Sequence, residues 1–306
     1  MQAAGVVANQ VLIMFLLMGV GILTEKLRMI RYAAASQINN FLLLIVMPCV
    51  ILNAYQIEFK VELLEGLLLA FLLALFSHAI GIVVSMLLAR RKPDAKYRIE
   101  RFAMVYSNCS FMAIPLLQAV VGSEGVFYGS AYIAVFNLFM WTHGIFLMSG
   151  ERSMKAVRKA LLNPGVISVA AGLILFFTPF RFPYVVGQVT GYIASLNTPL
   201  AMLLTGIFIS RSGIKSAFSD KKVYFISAVR LLLIPLLVLG VIWVLPAPGI
   251  VRTACIISAA CPCAASCSMF ALRYKQDVSY SSKMITVSTL LSVLTLPVMI
   301  LLAGMV

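Results

Sequence analysis

The sequence has 306 residues, 62% of them hydrophobic and only 11% charged, with a mean hydropathy of +1.03. Soluble domains carry about 25% charged residues, so this composition excludes an ordinary soluble domain and indicates an integral membrane protein. The net charge of +14 would suggest nucleic acid in a soluble chain, but here it has first to be placed relative to the apolar segments, and once placed it requires no nucleic-acid partner.

Runs long enough to cross about 30 Å of hydrocarbon lie at 6–23, 37–56, 63–89, 102–121, 126–149, 163–179, 188–210, 223–245, 250–271 and 283–304. Ten transmembrane helices are expected, because the runs are too long and too uniformly apolar for barrel strands. Between them no soluble domain has room. The connections 24–36, 90–101, 150–162, 211–222 and 272–283 hold 20 of the 24 Lys and Arg residues. Basic loops stay in the cytoplasm, so both termini are expected outside, in a bacterial inner (plasma) membrane. With no basic stretch ahead of the first apolar run, a cleaved signal peptide is not expected.

The second half echoes the first. Pro48 in span 2 matches Pro199 in span 7, and Pro115 in span 4 matches Pro262 in span 9, at offsets of 151 and 147 residues. An offset near half the chain marks a duplicated unit, so residues 1–153 and 154–306 read as two five-helix repeats. An odd number of spans per repeat forces the second copy to enter the membrane inverted. Inverted repeats typify secondary transporters, whose substrate site lies at mid-membrane on interrupted helices.

Spans 4 and 9 are the interrupted ones. "AMVYSNCSFMAIPLLQAVVG" places Ser107, Asn108 and Ser110 ahead of Pro115, and "ACIISAACPCAASCSMFAL" surrounds Pro262 with small residues. Proline removes a backbone hydrogen bond and clashes with the carbonyl four residues earlier, which is expected to free the carbonyls of Phe111 and Ser258. Two such breaks at mid-depth would aim helix N-termini into one cavity, where an anion is the natural guest. The expected substrate-binding residues are Ser107, Asn108, Ser110 and Pro115 with Pro262, Cys263, Ser266 and Ser268; Asn137, Asn53 and Arg230 stand behind them.

All ten acidic residues fall in connections or at span ends, so coupling through a carboxylate at mid-membrane has no candidate. The remaining ionisable groups within spans are His78, His143 and Arg230. Arg230 reads either as a cation snorkelling to the interface or as a fixed charge that attracts anions into the cavity. The histidines read either as packed residues or as proton acceptors, the second of which would make a proton-coupled symporter.

Cys261, Cys263 and Cys267 leave open a soft-metal carrier, although no Cys- or His-rich soluble domain is present to deliver the ion. An enzyme is not expected: HExxH, GxSxG and paired intramembrane aspartates are all missing, and neither cofactor nor resident metal is implied.

Four stretches carry a family resemblance: "SNCSFMAIPLLQAVVGSEGVFYGSAYIAVFNLFMW", "PLAMLLTGIFIS", "RLLLIP" and "ALRYKQDVSYSSKMITVSTLLSVLTLP". They run in order over most of the chain, which resembles the auxin efflux carrier family in its short bacterial form. The resemblance implies an all-α, ten-helix fold similar to that of bile-acid symporters and sodium/proton antiporters. Spans 1, 2, 6 and 7 would form a scaffold, often dimeric, while spans 3–5 and 8–10 would form a moving transport domain in which spans 4 and 9 cross at their prolines. It further implies carriage of small organic anions, carboxylates above all. The chain departs from the common pattern in having Asn108-Cys109-Ser110 where many members have Asn-x-Gly, and Cys263, Ala264 and Ala265 where relatives are more polar.

Overall fold

Without water in the hydrocarbon layer, a long apolar run must satisfy its backbone internally, and the α-helix does so within one segment. The computed structural model describes residues 2–30, 32–90, 96–150, 162–211, 218–245 and 247–305, and its regular elements are all helical. The cores of the basic connections at 91–95, 151–161 and 212–217, with Arg31, Asp94 and Glu151, lie outside the described residues.

In chain order the helices are α1 (Gln2–Lys26), α2 (Tyr32–Phe41), α3 (Met47–Ala54), α4 (Val61–Leu88), α5 (Lys96–Val105), α6 (Ile114–Phe139), α7 (Ile145–Ser149), α8 (Pro164–Phe177), α9 (Tyr184–Ser195), α10 (Asn197–Arg211), α11 (Lys221–Ala228), α12 (Ile234–Val244), α13 (Gly249–Ala260), α14 (Ser266–Arg273) and α15 (Val278–Met305). Among the described residues, seven continuous helical segments are long and apolar enough to cross a membrane: Asn9–Lys26, Ala34–Ala54, Val61–Leu88, Cys109–Ser149, Tyr184–Ser210, Lys221–Val244 and Val278–Gly304. α8 and α13 are apolar but shorter. The segment Cys109–Ser149 has 41 residues, about 60 Å at 1.5 Å per residue and twice the thickness of the hydrocarbon. It turns back at Gly122, whose φ of 72° and ψ of −160° lie where only glycine is at ease.

Prolines shape the helices in a way their positions alone do not reveal. Five-residue π-helical turns occupy Leu42–Val46, Cys109–Ala113, Met140–Gly144 and Val229–Leu233, and all but Met140–Gly144 are followed two residues later by a proline: Pro48, Pro115 and Pro235. In all three cases the carbonyl four residues before the proline, that of Leu44, Phe111 or Leu231, is the middle residue of the turn. The wider π-turn makes room for the ring, and the ladder resumes one residue out of step: Met47 N–H donates to Leu42 O and Ile234 N–H to Val229 O. Pro115 therefore lies inside a continuing helix, contrary to the expectation that it breaks span 4. The break comes earlier, at 106–108, for a reason given below.

Close helix approach depends on residues without side chains, as it does in membranes generally. α1 and α10 pack along their length; Gly21 rests on the backbone carbonyl of Leu203, and Gly206 rests on that of Met18. A β-carbon at either position would meet backbone. α3 packs on α8 and α9, while α13 is held by α4, α6, α12 and α15. Aromatic contacts fill the join between α3, α6 and α8, with Tyr55 edge-on to Phe127 at 4.7 Å and Phe127 against Phe176 at 5.2 Å. Large apolar side chains such as Leu16, Leu87, Ile174 and Leu294 face outward, as the lipid-facing surface of a membrane protein requires.

Candidate functional site

The centre of the molecule is where two interrupted helices meet. α5 ends at Val105 and α13 ends at Ala260, and the extended residues that follow pair as a short antiparallel bridge, Ser107 opposite Cys263. Asn108 N–H donates to Pro262 O at 2.7 Å and Ala264 N–H to Tyr106 O at 2.9 Å. Cys263 N–H is taken up by the Ser288 hydroxyl of α15 at 3.1 Å. Backbone groups released by the two breaks thus satisfy one another, and this exchange, more than either proline, ends α5. The helices then restart, one at the π-turn Cys109–Ala113 and the other at α14. Four helix ends converge: the C-terminal ends of α5 and α13, and the N-terminal ends of the 109–113 turn and α14.

Arg230 reaches into this crossing from the π-turn that joins α11 to α12. Its side chain is 1% exposed, and one guanidinium nitrogen donates to Met104 O at 2.8 Å and Val105 O at 3.0 Å. The other donates to Ala259 O. It does not snorkel to the interface and lines none of the three cavities that adjoin the crossing; it ties the C-terminal ends of α5 and α13 together. On α13 the carbonyl it binds is that of Ala259, one residue beyond Ser258. Each helix C-terminus carries about half a negative elementary charge, so two such ends are matched by one guanidinium. The N-terminal ends at Cys109 and Ser266 keep their partial positive charge.

Three cavities adjoin the crossing. One of about 410 Å³ is lined by Ser110 and Asn137 together with Asn40, Trp141, Asn163 and Arg273. A second of about 380 Å³ lies between α10, α14 and α15, lined by Ser268, Ser279 and Ser282, and Met269 forms part of the wall of both. A third of about 320 Å³ is reached from the Gly122 side and is lined by Asn53, Pro115, Gln118, Ser123, Asn197 and Thr198. Ser110 and Pro115, little more than a turn apart on one helix, therefore face different cavities.

The eleven residues expected at the site are thus distributed. Ser107, Asn108, Pro262, Cys263 and Arg230 build the crossing itself, with the Ser107 hydroxyl buried and without a partner. Ser266, at the N-terminus of α14, likewise has an unpartnered buried hydroxyl. Ser110 and Asn137 share the first cavity, although the Asn137 amide donates to Ile133 O at 3.0 Å. Ser268 bonds to Ser281 and Ser282 at 3.0 and 3.2 Å. Pro115 and Asn53 line the third cavity, where Asn53 Oδ1 accepts from the Thr190 hydroxyl at 2.9 Å.

Asn197 was not among the residues expected. It opens α10, is 2% exposed, and neither polar atom of its side-chain amide has a hydrogen-bond partner. A buried amide left so is costly unless something else binds it. Its signal in the sequence is an amide inside an apolar run, two residues before Pro199.

The remaining ionisable groups are embedded. His78 is 2% exposed, bonds through Nδ1 to Ala74 O at 2.8 Å, and is ringed by Tyr106, Tyr132, Phe136 and Phe139. The Tyr106 hydroxyl donates to Phe139 O at 2.9 Å and meets His143 Nδ1 at 2.8 Å, so with its one proton on the carbonyl it accepts from the imidazole. Glu100, at a span end by sequence, is only 1% exposed; it forms an ion pair with Lys222 and accepts from the Tyr280 hydroxyl at 3.0 Å. Among the described residues, no three His, Cys, Asp or Glu side chains are grouped so as to hold a metal ion; the Cys263 and Cys267 side chains meet, but Cys261 does not complete a set of three with them.

Comparison with known proteins places this sequence in a family. The profile of the family described as Membrane transport protein matches residues 6–157 and 151–300, nearly the whole chain. A protein of Methanothermobacter thermautotrophicus named an uncharacterized transporter is 24% identical over 294 residues, covering 94% of this chain and 95% of that protein. The chain is a membrane transporter belonging to the auxin efflux carrier family.

Proposed function

We propose that the protein carries a small organic anion, a carboxylate, across the membrane by alternating access, driven by the membrane potential or by the substrate's own gradient. The observation that carries this reading is the charge balance at the crossing. Arg230 compensates the two negative helix ends, while the positive ends at Cys109 and Ser266 remain for a guest of negative charge. Cavities of about 320 and 410 Å³ that open on the same helix from different sides suit a small molecule and two access routes. The lining of the cavity of about 320 Å³ is uncharged and rich in amides and hydroxyls, as a carboxylate-binding surface can be.

This reading includes ten crossings arranged as inverted repeats, residues 1–153 and 154–306, with both termini outside and the five basic connections in the cytoplasm. Spans 1, 2, 6 and 7 form the scaffold and spans 3–5 and 8–10 the moving part, in keeping with the packing of α1 on α10 and α3 on α8, and of α13 on α4, α12 and α15. A homodimer through the scaffold and residence in a bacterial inner membrane belong to the same reading. Proteoliposomes with an imposed potential test it, using radiolabelled mono- and dicarboxylates chosen by thermal-shift screening. Flux of at least one carboxylate that follows the potential is expected, with Asn108→Ala lowering it at unchanged protein content. No carboxylate flux under any potential or pH gradient would refute the reading; flux that follows only the pH gradient would favour proton symport.

A further inference from the structure

Helix C-termini and unwound carbonyls at mid-membrane are where transporters with interrupted helices coordinate their coupling cation. In this chain the corresponding carbonyls, those of Met104, Val105 and Ala259, are bonded to the Arg230 guanidinium. We infer that Arg230 is a tethered resident cation: its side chain occupies the carbonyl cluster that would otherwise hold a mobile monovalent cation, and so uncouples the carrier from sodium and potassium.

Three features support the inference. The first is stoichiometry, since two helix C-termini of about half a negative charge each balance one guanidinium, and a further cation would be in excess. The second is shape. A planar fork of N–H donors can bond carbonyls on two helices at once, which a single ammonium does less well, and Arg230 spends one nitrogen on α5 and the other on α13. The third is how the side chain is supplied. Arg230 sits in the π-turn that precedes Pro235, and the extra residue in that turn changes the direction in which it points relative to a regular helix.

Arg230→Ala should therefore leave a vacant site selective for small monovalent cations. Purified wild-type and variant proteins in nanodiscs are titrated with millimolar guanidinium, sodium, potassium or choline chloride, with melting temperature as the readout. For the wild type the melting temperature is expected to be the same in all four salts. Arg230→Ala is expected to melt lower and to regain stability saturably with guanidinium or sodium but not with choline; the wild type reports any denaturing action of guanidinium. Arg230→Gln, which keeps one donor for the carbonyls, carries the same titration should the alanine variant not fold. No saturable cation effect in either variant, or stabilisation of the wild type by sodium, overturns the inference.

The consequence for coupling rests on the carrier reading above, whereas the titration does not, so the two can fail separately. In liposomes, Arg230→Ala should reduce substrate flux by at least about tenfold, the equivalent of one charge-assisted hydrogen bond, and external guanidinium should restore part of it. Wild-type flux should be equal in sodium and choline at the same potential.

Discussion

Glu100 and Lys222 offer an asymmetric test of how this protein manages charge near the membrane interface. The carboxylate, on α5, is 1% exposed; the ammonium, on α11, is 38% exposed; and the Tyr280 hydroxyl of α15 closes the group at 3.0 Å. Removing one partner of a fully buried pair costs about 3–5 kcal/mol, because the other charge is stranded. Here the cost depends on which partner is left. After Glu100→Gln, Lys222 can turn toward water, so the loss should approach that of a partly exposed pair, about 1 kcal/mol. After Lys222→Met, Glu100 stays buried with one hydrogen bond, and its other oxygen already lacks a partner. With the Tyr280 hydroxyl still donating to it, the loss should be about 2–3 kcal/mol. The double variant should fall near Glu100→Gln alone, since the stranded charge has gone with its partner. Unfolding in mixed micelles by titration with sodium dodecyl sulfate gives the three values. If Lys222→Met is no more destabilising than Glu100→Gln, or if the double variant is the least stable of the three, the burial argument fails.

Two further substitutions probe packing and the third cavity. Gly206→Val should abolish folded yield or cut it severely, measured by size-exclusion chromatography, because its side chain meets the Met18 carbonyl of α1 and neither backbone can give way; normal yield would show that α1 and α10 are not so closely packed. Asn197→Leu should stabilise the protein by about 1 kcal/mol, at the low end of the cost of an unsatisfied buried polar group, while weakening substrate binding. Loss of stability, or unchanged substrate affinity in a thermal-shift titration, would mean that Asn197 serves the fold.

Apolar run length located the helices, because the bilayer leaves a membrane-spanning chain few alternatives. Each of the ten runs falls on helical segments of the structure. The interruption in span 9 was legible for the same reason that a proline among small residues is: the ring forbids a hydrogen bond and nothing bulky prevents another chain from coming close. Span 4 was less legible. Pro115 suggested a break at its own position, but whether proline breaks a helix or only widens one turn depends on whether the preceding carbonyls find other partners. For the backbone of residues 106–108 those partners lie about 155 residues away in sequence, at Pro262 and Ala264, and no local pattern encodes the pairing. The same holds for Arg230. Its identity and depth could be read; that its two nitrogens would divide between two helix ends from other spans could not. Asn197 was overlooked because an amide near a proline at the start of a helix has an ordinary local explanation, and only burial without a partner sets it apart.

A tethered cation also determines where in the transport cycle the membrane potential acts. Among the described residues the fully buried formal charges are Arg230 and Glu100, and Glu100 is paired with Lys222. Helix dipoles add no net charge to a moving body. If α4–α7 and α11–α15 move together as proposed, the empty carrier transfers one positive charge, and the carrier loaded with a monoanion transfers none. The net charge per complete cycle is still that of the anion, worth about 2.3 kcal/mol, or about fiftyfold in concentration, for a potential of about 100 mV. With the interior negative, the potential acts by drawing the empty carrier back to its inward-facing state, which favours export. Exchange of labelled for unlabelled monoanion uses only the loaded carrier and should proceed at the same rate with or without a potential, whereas net flux should respond strongly. In Arg230→Gln the assignment reverses: the loaded carrier bears the negative charge, exchange becomes sensitive to potential, and return of the empty carrier does not. Potential-sensitive exchange in the wild type would place the compensating charge outside the moving part and refute the argument.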